Sequence, residues 1–149
     1  MNTENIFAKL IRQHDMIKEV TKGTQTFLES IKTSANEGDF IELIQKLEHV
    51  KFLLLEHAEY EEETLVPVLI KMYHPQEELA HYVKDEHIAL EKDLEILIRV
   101  VNEHIEQKKD GLEREVYYKI RNYLQQTVTH MVEEEVSLFP MLKIISGRA

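Results

Sequence analysis

The chain has 149 residues, with 18 Lys plus Arg against 28 Asp plus Glu, a formal charge of −10, eight histidines and no cysteine. That length suits one domain spanning 1–149, able to bury roughly 70% of its unfolded surface without disulfide staples. The negative charge disfavours nucleic acid and anionic lipid as partners, and the lack of thiols leaves any metal to nitrogen and oxygen ligands.

From the N-terminus, Met1–Asn5 carry no basic stretch leading into an apolar run. No segment approaches the roughly 18 apolar residues that a membrane span needs, so a cytoplasmic protein is expected. Four glycines and three prolines then divide the chain into long Leu-, Ile-, Glu- and Lys-rich segments that read as helices. The first runs from Thr3 to about Ser34, with Phe7, Leu10, His14, Ile17, Thr21, Thr24, Leu28 and Ile31 along one seam. The second runs from Asp39 to about Tyr73, its start marked by Asp39 with Glu42, and its seam is Leu43, Leu47, Val50, Leu54, His57, Glu61 and Leu65. The third starts at Pro75, a residue suited to a first helical turn, and presents Val83, His87, Leu90, Leu94, Leu97 and Val101 up to about Gln107. After a turn at Lys108–Gly111, the fourth runs from Leu112 to about Ile145. Asp110 with Glu113 marks its start, and its seam is Val116, Ile120, Tyr123, Thr127, His130, Glu134 and Leu138. Steps alternating three and four are those of helices packed along one stripe. Helices of about 30 residues joined by short turns predict an all-α, antiparallel up-down-up-down four-helix bundle.

Sliding the sequence against itself by 73 residues brings His14 onto His87, His57 onto His130, Glu61 onto Glu134, Glu62 onto Glu135, Leu65 onto Leu138 and Pro67 onto Pro140. The halves, about 3–73 and 75–146, thus share H-x-x-x-E-E-x-x-L-x-P, and two helical hairpins related by a pseudo-twofold are expected. His49, His74, His81 and His104 have no histidine at this offset and read as surface or packing residues. Counting rise along the helices puts His14, His57, His87 and His130 at one level, roughly 17–23 Å from one end of the bundle.

One histidine on an apolar seam is most often a packed core residue. Four of them with two glutamates are a different case, because each unpaired buried ion costs several kcal/mol, whereas a cation satisfies all of them. At i and i+4 the side chains of His57 and Glu61, and of His130 and Glu134, lie on one face. Imidazole with carboxylate suits iron, manganese or zinc, and two facing carboxylates suit a dinuclear centre. Glu62 and Glu135 read as solvated helix-face charges, with acceptors that orient a ligand histidine as the alternative. Pro67 and Pro140 are expected to loosen each helix just past the site.

These residues resemble the haemerythrin-like, or HHE cation-binding, proteins over nearly the whole chain: His14, His57-x-x-x-Glu61, His87 and His130-x-x-x-Glu134, with the tails Leu65-Val66-Pro67 and Leu138-Phe139-Pro140. The resemblance implies two non-haem iron ions bridged by Glu61, Glu134 and an oxo or hydroxo oxygen, with the four histidines as terminal ligands. The oxygen-carrying members place a fifth histidine and an aspartate where this chain has Glu91 and Glu135. Glu91 is therefore either a third carboxylate ligand or the partner of Lys18, its mate at the 73-residue offset, or a solvated charge. The implied function is a protein that binds or senses O2, with O2 or NO as small-molecule ligands and no redox partner identified, a binding protein ahead of a dedicated enzyme. Nitric oxide handling, iron-centre repair and ferroxidase-type iron oxidation are the alternatives, followed by a structural or signalling bundle gated by metal.

Overall fold

The computed structural model describes residues 3–67 and 76–140, with side chains described from residues 6 and 81 onward in the two stretches. Four long helices carry the described residues: α1 Thr3–Ser30, α2 Glu37–Thr64, α3 Gln76–Glu106 and α4 Arg114–Glu133. A π-helical turn, Glu134–Leu138, continues α4. No strand occurs among the described residues. Helix α1 packs against α2 and α4, and α3 packs against the same two, so the helices form a ring around a shared interior. The expected continuation of the second helix to Tyr73, the break at His74-Pro75 and the run of the fourth helix to Ile145 lie outside the described residues.

Every residue of the four predicted seams is buried. The helix ends are where the expectations need correction. Helix α1 stops at Ser30, four residues early, because Ser30 Oγ donates to the Phe27 carbonyl at 2.6 Å and the chain tightens. Ile31 N–H is shared between the Phe27 and Leu28 carbonyls, as helix ends often do. Helix α2 begins before Asp39. Asn36 is its N-cap, accepting from Asp39 N–H at 2.9 Å, and the Asp39 carboxylate accepts from Asn36 N–H at 3.0 Å, a reciprocal capping box. Asp39 is therefore the third helical residue and not the cap. Helix α4 likewise starts after Leu112, and Glu113 takes the cap position without a side-chain cap. Glu113 N–H donates instead to His104 Nε2 at 3.3 Å, a job that Asp110 was expected to do.

The turn between α3 and α4 places Lys108 at φ 53°. Lys109 N–H reaches back to the His104 carbonyl and Lys108 N–H to that of Ile105, the paired bonds of a Schellman ending that usually takes glycine at the left-handed residue. Gly111 sits three residues too late to serve.

The apolar interior is in two parts. The larger contains Ile17, Leu54, Leu90 and Met131, and the smaller contains Leu10, Leu65, Val83 and Leu138. On each helix the histidine singled out above falls between a residue of one part and a residue of the other.

Replacing Lys108 by glycine should remove the left-handed strain and raise unfolding free energy by about 0.5–1 kcal/mol, while Asn36→Ala should lower it by about 1 kcal/mol. Urea midpoints of the two variants, moving in opposite directions, check both assignments.

Candidate metal centre

Between the two apolar parts lies a polar layer. His14, His57, Glu61 and Glu134 are all buried, and one ligand atom from each falls within 4.8 Å of the others; His87, His130 and Glu134 form a second such group. Glu134 belongs to both. The Glu61 carboxylate also spans them, with Oε2 2.9 Å from His57 Nε2 and Oε1 3.6 Å from His87 Nε2. Glu134 Oε1 lies 3.2 Å from His14 Nε2, 3.4 Å from His57 Nε2 and 3.3 Å from His130 Nε2.

The orientation of the rings follows from what holds their other nitrogen. His14 Nδ1 faces Glu135 Oε1 at 3.2 Å, and His57 Nδ1 faces Gln13 Oε1 at 2.9 Å. His130 Nδ1 donates to Glu86 Oε1 in a short bond, and His87 Nδ1 is 3.6 Å from Glu62 Oε1. At His14, His57 and His130 the outer oxygen is an acceptor, which favours a proton on Nδ1 and leaves Nε2 facing inward, the orientation a metal needs, whereas His87 Nδ1 makes no hydrogen bond.

Glu135 is thus not a solvated face charge, held as it is by His14 and Lys18, while Glu62 approaches His87 and stays 35% exposed. Both directly follow a buried glutamate, Glu61 or Glu134, and a helix step of about 100° carries the side chain round to the neighbouring histidine. Lys18 does not reach Glu91 either. Its ammonium is 2.7 Å from both Glu135 oxygens, because α1 lies against α4 and its extension. Glu91 is half-buried and lines a cavity beside the centre, outside the two groups of converging ligand atoms. Sequence reasoning missed Gln13 and Glu86. They precede His14 and His87 directly and match each other at the 73-residue offset. Of the histidines without a mate, His49 and His81 are exposed, His104 is buried against Phe40 and caps α4, and His74 lies outside the described residues.

Does this donor set fit a cation? Both oxygens of Glu61, Glu134 Oε2, His87 Nε2 and His130 Nε2 are buried without a hydrogen-bond partner among the described residues. Several lie near another polar atom but off its bonding axis. Buried groups left this way cost about 1–3 kcal/mol each, and divalent cations are what imidazole nitrogens and carboxylate oxygens converging on one volume can hold.

Without metal, protons take that role. Burial pushes the His57 imidazole toward neutrality, yet the carboxylates of Glu134 and Glu61 outweigh it and hold its pKa up at about 9. His130 also reaches about 9, with Glu134 and Glu86 overcoming burial. Burial and the facing Glu134 push Glu61 up to about 8. Glu134 goes the other way: burial opposes its ionisation, but contacts with Glu61, His130, His14 and His57 hold it well below the usual carboxylate range. Burial, with help from the nearby cationic rings, drops His87 to about 4.

Two cavities adjoin the layer. One, about 370 Å³, is lined by His57, His87 and His130, with Leu90 and Met131 among its apolar walls and Glu62 and Glu91 among its charged ones. The other, about 480 Å³, reaches His130 and Glu134 beside Glu86, Tyr82 and Leu138. The π-helical turn begins at Glu134, and its wider closure is seen where Phe139 N–H bonds to the Glu134 carbonyl. Pro140 follows at once and has no N–H to give the Val136 carbonyl, so loosening of the helix just past the site is the observed local structure.

Compared with known proteins, the chain matches no family model, no curated protein and no solved structure.

From pH 6.5 to about 8 the folded, metal-free protein holds protons on His57, His130 and Glu61 that the unfolded chain has released, and on the two histidines to about 9. Its stability should therefore fall as pH rises through that window. Added divalent cation competes with the same protons, so the loaded protein should gain stability as pH rises. Denaturant midpoints at pH 6.5, 7.5 and 8.5, with chelator and with cation, test the opposite slopes.

Proposed function

We propose that the chain is a haemerythrin-like protein that holds two iron ions in this polar layer and uses them to bind or sense O2 or NO. The observation that carries the reading is the inward convergence of four Nε2 atoms on two buried carboxylates, with the orphaned oxygens of Glu61 pointed toward both histidine pairs. In this reading His14 and His57 hold one ion, His87 and His130 hold the other, and Glu61 and Glu134 bridge them. Bound iron would supply one-electron chemistry toward a diatomic ligand. Manganese and zinc are compatible with the same donors.

The remaining features have roles around that centre. Gln13, Glu135 and Glu86 orient His57, His14 and His130 through Nδ1. The cavity walls of Leu90 and Met131 offer a diatomic molecule an apolar approach, and Glu91 on the same wall stands where a third carboxylate could close a coordination position. The bundle is read as antiparallel, up-down-up-down, with two hairpins related by a pseudo-twofold. Support comes from α1 and α3 running from the smaller apolar part to the larger while α2 and α4 run back. No described helix is long and apolar enough to cross a membrane.

A second reading, oxidation of iron without return of O2, is favoured by one observation. Glu59, Glu62 and Glu91, with Lys51 as the one cation beside them among the described residues, line the 370 Å³ cavity together with three histidines, a surface that suits an incoming cation as well as a neutral gas.

Protein purified without oxygen should carry two irons per chain by elemental analysis, and His57→Ala should lose iron at one position or both. Two irons retained in that variant would sink the site. An optical band that forms with O2 and bleaches on degassing supports reversible binding. Permanent oxidation on first exposure, with continued uptake of ferrous iron, selects the second reading.

A further inference from the structure

The two halves of the layer match in their histidines but not in what surrounds them. The outer partners of His14 and His57 are Glu135, neutralised by Lys18 at 2.7 Å, and the uncharged amide of Gln13. At the matching positions around His87 and His130 stand Glu62, Glu86 and Glu91. Among the described residues no lysine or arginine pairs with any of these three. One half therefore carries no net outer charge and the other carries three negative charges.

A second difference points the same way. His14 and His57 satisfy one another, with Nε2 to Nε2 at 3.0 Å and ring centroids 4.6 Å apart. A cation must break that hydrogen bond to enter. His87 and His130 stand 5.9 Å apart, and the Nε2 atoms of both have no hydrogen-bond partner. Access is the third difference: both cavities beside the layer reach His130, one of them also reaches His87 and His57, and neither reaches His14.

We infer that the two cation positions are unequal by construction: the His87–His130 position fills first and more tightly, and favours the more highly charged ion. The inference rests on the metal-binding reading above and adds an order of loading to it. The physical basis is twofold. An imidazole whose outer N–H is held by a free carboxylate is a stronger donor than one held by an amide or by a neutralised carboxylate, and such partners change metal affinity by about 10–100-fold. Uncompensated negative charge near a buried cation adds Coulomb attraction, reduced by solvent because Glu62, Glu86 and Glu91 are each partly exposed. Lys18 acts in the opposite sense on the His14 side, through Glu135, and is a positioning residue.

The test is a titration of the metal-free full chain with Zn²⁺, followed by nitrogen NMR of the histidine rings, with signals assigned from single histidine variants. His87 and His130 Nε2 signals should move during the first equivalent and those of His14 and His57 during the second. Lys18→Met should tighten the second step about tenfold and leave the first in place, and Glu86→Gln with Glu91→Gln should weaken the first step by tenfold or more. All four rings moving together, the reverse order, or steps untouched by these substitutions would overturn the inference while leaving a two-cation centre intact. Fewer than two Zn²⁺ bound with unmoved ring signals would remove the centre itself, and the order of loading with it.

Discussion

Four imidazole lone pairs and two carboxylates face one small buried volume, and positive charge has to sit among them. Outward bonds to Glu135, Gln13 and Glu86 remove the easy escape, in which a ring flips or swaps its proton to relieve the crowding. The apolar groups close the layer above and below, so its approaches are the two cavities at its side. What remains is a choice between protons and metal. The raised pKa values of His57, His130 and Glu61 are the proton-filled answer to that choice.

The same constraint shapes the helices. Four rings can meet at one height only if each helix keeps its seam in register over several turns, which accounts for the unbroken burial of the predicted stripes on both sides of the layer. Glu61 and Glu134 stand near the end of the regular part of their helices, where the chain loosens: α2 closes at Leu65 and α4 widens into a π-helical turn. A carboxylate placed there can adjust its reach without disturbing the packed turns behind it.

The sequence made the seams and the six inward residues legible because period and repeat act over the whole chain: His14 and His87 declare themselves by position as much as by type. Helix ends were read less well. At the start of α2 the acidic pattern of Asp39 and Glu42 competed with Asn36, and only the bond from Asp39 N–H to Asn36 Oδ1 decides between them. At the start of α4 the cap is supplied by His104, nine residues away, which no local rule of capping would propose. Gln13 and Glu86 escaped notice for a different reason. They differ from each other, so a search for identity between the halves passes over them, although their shared offset is visible in the sequence. Glu62 and Glu135 lay in the shared motif, yet whether such a charge faces solvent or a neighbouring ring depends on which helices are adjacent.

The division of the interior into two apolar parts has a mechanical consequence. The smaller part, with Phe7, Leu10, Leu65, Val83 and Phe139, has few residues of its own to resist opening and is joined to the larger through the polar layer, whose cohesion would depend on the proposed cation. Emptying the centre would therefore loosen one end of the molecule ahead of the rest. If the proposed cation is bound, amide exchange and protease sensitivity at that end would become a readout of metal supply, by which a cell's degradation machinery could tell loaded copies from empty ones.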